Sequence, residues 1–272
     1  MIEIEIAITK KKADSFLRRN IPTAWSEITS GERRLLYFKK CVTLEKEIAQ
    51  IEILKDILEL PKSIFLSLKA TDLVQIAEQI AFMFEKVSSL PITDRFDWAS
   101  RTWYMPKKSF DNGTAFEFAF ADEFYTEFAQ NPDDVEAVII CCAALLRAEP
   151  KKPNLNREEI LENAELLLDL PIEFLAIVIH YFEALKININ QSGKDAELFK
   201  ENIPQEGEIN INVGNQINFG WWTTYRSIAK LGVFGNFAAV CASNFWDVFK
   251  FCIEEKQRTD EQERIMKSYT NN

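Results

Sequence analysis

Apolar residues return every three or four positions along most of this chain, a period that admits little besides packed amphipathic helices. Leu73, Ile76, Ala77, Ile80, Phe84 and Val87 form one such stripe behind a cap at Ala70, Thr71 and Asp72. Leu35, Leu36, Phe38, Ile48, Ile51, Leu54, Ile57 and Leu58 form another. It starts near Glu32 under a Thr29 or Ser30 cap and stops at Pro61, whose nitrogen has no hydrogen to continue the ladder. Glycine is scarce, 8 against 21 Phe, whereas phosphate-cradling loops and tight sheet turns need it. Further helices are expected over 117–129, 133–148, 157–168 and 171–185.

The expected fold class is mainly α: a multi-helix, bundle-like body with a minor short β element and a C-terminal helical unit. The body spans 1–187. Its opening places Ile2, Ile4, Ile6 and Ile8 on one face of a short strand, with 101–105 or 208–213 as the candidate partner strand. The mixed segment 91–112 bridges two helical halves. Residues 188–218 are polar and Asn-rich, the composition of a loop or linker. The unit 219–272 sets Trp221, Trp222, Tyr225, Ile228 and Ala229 on one helical face and Phe245, Val248, Phe249, Cys252 and Ile253 on another, with a turn from Gly232 to Gly235 between them. It is expected to dock on the body, and its charged end, 257–272, is expected to fray or await a partner.

Charge removes one class of partner. With 32 Lys and Arg against 42 Asp and Glu, the net charge is −10, so a phosphate backbone would meet repulsion. A membrane span is not expected either, because the longest uncharged apolar stretch, 231–246, is interrupted by Gly232, Gly235, Asn236 and Asn244 and falls short of the ~20 residues required. The alternating opening has no apolar core of secretory type. Cys41, Cys141, Cys142, Cys241 and Cys252 form no CxxC and have apolar neighbours, as buried thiols in a reducing compartment do. A cytoplasmic location is expected.

No catalytic, cofactor-binding or metal-binding constellation is expected. The single histidine, His180, lies in the apolar run Leu175 to Leu185, a setting for a core imidazole more than for a general base. Glu158, Glu159, Glu162 and Glu165 read as a solvated face near a helix N-terminus. Asp94, Asp97, Asp111, Asp133 and Asp134 do not follow the calcium-loop spacing. Gly232 to Gly235 lacks the third glycine and the lysine of phosphate loops. Gly-x-Ser-x-Gly, Asp-Phe-Gly and His-Glu-x-x-His do not occur.

Three segments together resemble a known family. Ile21-Pro22-Thr23-Ala24-Trp25-Ser26-Glu27-Ile28-Thr29 resembles the LP-x-x-W-x-E-(L/V)-T opening of phage and prophage tail assembly chaperone-like proteins. Ala121 to Tyr125, followed by a helix reaching Ala143-Ala144-Leu145-Leu146-Arg147, is similar to that group's middle section. Trp221 to Gly232 with Asp247-Val248-Phe249 is similar to its C-terminal section. The Asn-rich insertion and the paired Trp221-Trp222 depart from the pattern. The resemblance implies a non-enzymatic cytoplasmic helper that binds phage tail proteins during assembly. A virion structural protein or adaptor retained in the particle is the alternative, and an enzyme using Cys141, Cys142 or His180 is a third reading. Trp25, Trp221, Trp222 and Trp246 are the candidate partner contacts and equally candidates for the core, since large indoles anchor both.

Overall fold

The structure, a computed structural model, describes residues 1–10, 13–85, 91–154, 156–195 and 220–270. Among them the chain is mainly α-helical, with two antiparallel two-stranded sheets. Strand β1 (Ile2–Lys10) pairs with β2 (Ala13–Ile21), placing Ile2 opposite Ile21 and Lys10 opposite Ala13. The expected partner at 101–105 is thus not used, and 208–213 lies outside the described residues. The neighbouring segment wins because a short reversal loses far less closure entropy than a long loop.

Ser30 caps α1 (Gly31–Thr43), its hydroxyl accepting from the Arg33 amide at 3.3 Å. One helix was expected from Glu32 to Pro61, but the chain breaks at Leu44, which is extended, and resumes as α2 (Lys46–Leu58). Val42 and Thr43 are weak helix formers, and the Thr43 hydroxyl bonds back to the Lys39 carbonyl at 2.8 Å. The break lays α2 beside α1, burying Ile53, Leu54 and Leu58 while Lys40 Nζ reaches Asp56 at 2.6 Å. Arg19 Nε then donates to the Leu58 carbonyl at 2.8 Å, tying the β hairpin to the end of α2.

Three short helices follow: α3 (Lys62–Phe65), α4 (Ala70–Gln79) and α5 (Phe82–Glu85). The stripe expected to run unbroken to Val87 is interrupted after Gln79, and Val87 lies outside the described residues. Ile80, Phe82 and Met83 are all buried. At 100° per residue Ile80 and Phe82 would lie about 160° apart on a straight helix, so the break helps both reach the core. Segment 91–112 contains the hairpin β3 (Arg95–Trp98) and β4 (Arg101–Tyr104).

The central helices appear close to their expected places: α6 (Ala115–Gln130), α7 (Val135–Leu145), α8 (Arg157–Leu166) and α9 (Ile172–Asp195). Helix α7 is buried from Ile139 to Leu145 and forms the middle of the core, so it is apolar all round. Helix α9 continues through 188–195, where the composition predicts a linker; the rest of that segment lies outside the described residues. A polar knot fixes α6 to the end of α7. Glu117, 1% exposed, accepts from Arg147 Nε at 2.7 Å and Nη2 at 2.5 Å, from the Asn154 amide at 2.9 Å and from the Thr114 amide at 2.9 Å. The Thr114 hydroxyl in turn accepts from the Glu117 amide at 3.2 Å, completing a capping box. The Asn154 side-chain amide meanwhile donates to the carbonyls of Ala143, Ala144 and Leu146, satisfying the open end of α7.

The C-terminal unit contains α10 (Gly220–Leu231), α11 (Phe237–Ala242) and α12 (Phe245–Thr270). Gly232 and Gly235 adopt positive φ in the expected turn. Helix α12 extends to Thr270 where fraying had been expected. Successive pairs support it, Glu255 with Arg258 at 2.6 Å and Lys256 with Asp260 among them. The unit is sewn to the body by backbone bonds, the Ala115 amide to the Ser243 carbonyl at 3.0 Å and the Phe245 amide to the Gly113 carbonyl at 3.0 Å.

Candidate partner-binding cleft

Helix α6 packs on several neighbours. Helix α9 reaches it through Lys186 Nζ, bonded to Asp122 at 2.6 Å, and α10 and α12 also pack against it. Between them opens a cleft of about 460 Å³. Its apolar walls come from Phe118 of α6, Ile189 of α9, Trp221 of α10 and Phe249 of α12; Asn190, Thr224 and Cys252 add smaller polar groups. Each helix contributes residues three or four apart, the spacing that brings side chains to one face.

Trp221 is the largest side chain lining this cleft and is half-buried. Its ring stands edge-on to Phe118 with centroids 5.2 Å apart, and at 5.7 Å and 6.2 Å from Phe245 and Phe249. These contacts hold the indole in one orientation, so the wall is preformed. Trp222, also half-buried, donates its indole N–H to Glu123 at 2.9 Å and meets Phe116 at 5.5 Å. Trp246 donates to the Ser109 carbonyl at 2.6 Å and seals the seam between α12 and the body. Trp25 is a core residue, 3% exposed, against Phe38 and Phe82. Of the four indoles named from the sequence, the fold brings Trp221 and Trp222 together beside the cleft, keeps Trp246 at a seam and buries Trp25.

The cleft residues Lys186, Ile189, Asn190 and Thr224 were not singled out from the sequence, and Asp122 entered only within the segment Ala121 to Tyr125. Their signal is only helical spacing, and nothing local says that helices so far apart in the chain share a cleft. At its mouth Lys186 Nζ lies 4.6 Å from the centre of the Tyr125 ring. The Tyr125 phenol donates to Glu183 at 3.2 Å. Burial, reinforced by that carboxylate, pushes the phenol up to about 12.

The groups weighed for chemistry lie elsewhere or are masked by burial. His180 is half-buried with its ring 5.1 Å from Phe38, and desolvation lowers its pKa to about 4. Cys141 and Cys142 are fully buried, and burial raises both thiols. The same cause pushes Cys41 up to about 12 and Cys241 and Cys252 to about 11. Glu158, Glu162 and Glu165 are exposed, and Glu159 pairs with Lys152 at 2.9 Å. Among the described residues no cluster of three or more His, Cys, Asp or Glu is placed to hold a metal ion, and no helix is long and apolar enough to cross a membrane.

No family model matches the chain, and no curated protein or solved structure matches it.

Proposed function

We propose that the protein is a non-enzymatic assembly factor of the phage tail assembly chaperone-like kind, which holds an apolar segment of a tail protein in the cleft above α6. The observation that carries this reading is Trp221, a half-buried indole packed against Phe118, Phe245 and Phe249 on the wall of an open cleft. Rigid aromatic anchors in concave sites supply most of the energy of protein recognition. The buried thiols, with pKa values raised by desolvation, and the desolvated His180 favour binding over nucleophilic or acid–base chemistry. Reduced thiols are consistent with work in the cytoplasm.

The test is co-expression with the proteins encoded beside its gene, a tape-measure-like protein first among them. A stable complex that Trp221→Ala weakens, with helicity unchanged, supports the reading. A complex indifferent to Trp221, or no complex with any tail protein, overturns it. Recovery of the chain in purified particles would assign it instead to the virion as an adaptor.

A further inference from the structure

We infer that the Asn112–Gly113 peptide is a site of spontaneous deamidation, which the Glu117–Arg147 knot holds shut in the fold and whose isoaspartate product loosens the C-terminal unit. It is the chain's only Asn-Gly dipeptide. Glycine has no Cβ to shield its amide nitrogen, so that nitrogen can reach the preceding side-chain carbonyl and close a five-membered ring. Water is the only co-reactant. Hydroxide takes the Gly113 amide proton, the nitrogen bonds to Asn112 Cγ, and the Cγ–Nδ2 bond breaks. The leaving nitrogen takes a proton from water, departs as ammonia and regenerates the hydroxide. Water then opens the succinimide at either carbonyl: the side-chain carbonyl gives Asp, and the main-chain carbonyl gives isoaspartate.

In the fold both reacting groups are engaged. The Gly113 amide donates to the Phe110 carbonyl at 2.9 Å, and Asn112 Oδ1 accepts from the Lys107 amide at 2.8 Å. Arg147, its guanidinium bound to Glu117, donates from Nη2 to the Asn112 carbonyl at 2.7 Å. The Phe110 ring closes another side, 2.1 Å from where a Cβ on Gly113 would stand. Gly113 is buried and Asn112 half-buried. The nitrogen swings onto Cγ only when this loop opens locally, and Arg147 is what ties the Asn112 peptide to the core.

The two products differ in what they do to the seam. The Asn112 carbonyl holds Arg147, and the next carbonyl, that of Gly113, accepts from the Phe245 amide at 3.0 Å at the start of α12. Isoaspartate turns the Asn112 carbonyl into a branching carboxylate and lengthens the path to Gly113 by one carbon, so Arg147 and Phe245 are no longer both met. Aspartate keeps the original path and the acceptor facing the Lys107 amide.

The test incubates the full chain in neutral buffer and follows residue 112 by peptide mass spectrometry. Native wild type is expected to convert at least about tenfold more slowly than the same chain unfolded in urea. Folded Glu117→Gln is expected to convert several-fold faster than wild type, whereas Leu54→Ala, a destabilising change on the buried face of α2, is expected to leave the rate alone. Equal rates in native and unfolded chains, or equal acceleration by Glu117→Gln and Leu54→Ala, would overturn the knot as what holds the site shut. Absence of conversion in urea would overturn the site itself. In the chromatographically separated isoaspartate form, hydrogen exchange at the Ala115 and Phe245 amides is expected to be faster than in wild type and in Asn112→Asp. Unchanged exchange would overturn the loosening of the C-terminal unit.

Discussion

Replacing Glu117 by alanine removes one carboxylate that accepts five hydrogen bonds, two from Arg147, two from Thr114 and one from the Asn154 amide. Arg147, 4% exposed, would keep only its bond to the Asn112 carbonyl at 2.7 Å and become a buried charge without a counterion. Stranding one member of a buried pair costs about 3–5 kcal/mol, and losing a helix cap adds about 1 kcal/mol. The expected loss is therefore about 5 kcal/mol, a fall in melting temperature on the order of 10 °C for a chain of this size. Urea denaturation followed by tryptophan fluorescence measures it, with an unchanged slope showing that unfolding exposes the same surface. Glu117→Gln keeps the shape and removes the charge, so about half the loss is expected. Replacing both residues, Glu117→Leu with Arg147→Met, is expected to cost less than Glu117→Ala, because no orphaned charge is left. A Glu117→Ala loss under about 1 kcal/mol, or a double substitution costing the sum of its singles, would refute the reasoning.

Three other perturbations follow from local geometry. His180 has its pKa lowered to about 4 from 6.5, so between those values the unfolded chain binds more protons and stability falls as pH drops, by up to about 3 kcal/mol. His180→Leu is expected to flatten that slope in pH-dependent urea melts, and an identical slope would sink the assignment. Ala99 and Ser100 form the β3–β4 turn with φ of 51° and 59°, so Ala99→Asn with Ser100→Gly is expected to stabilise the protein by about 1 kcal/mol; a loss of stability would contradict this. A Cβ on Gly113 would lie 2.1 Å from the Phe110 ring, so Gly113→Ala is expected to cost about 2 kcal/mol by overpacking, and a neutral result would show that the ring yields freely.

What was legible in the sequence is what is decided locally. Ser30 caps α1 as its place before the helix suggested, and α6 to α9 begin within a few residues of their expected starts because prolines and capping residues act over one turn. His180 among aromatic rings and the buried Cys141 and Cys142 also follow from their apolar neighbours. The break at Leu44 and the interruption after Gln79 were hidden, because an apolar stripe reads the same whether a helix continues or folds back to pack against itself. Glu117 and Arg147 are thirty residues apart, and their pairing depends on how α6 lies on α7. The cleft was least visible of all: Phe118 and Cys252 share it only through the docking of α12 on α6.

The central claim, that the cleft above α6 is where a partner segment binds, is tested most directly by a photocrosslinking residue in place of Asn190 while the proteins encoded beside its gene are co-expressed. Mass spectrometry is expected to map the crosslink to one segment of one of those proteins, and Trp221→Ala is expected to diminish it. A partner that binds as before but crosslinks only from positions distant from α6, α9 and α10 would contradict the claim.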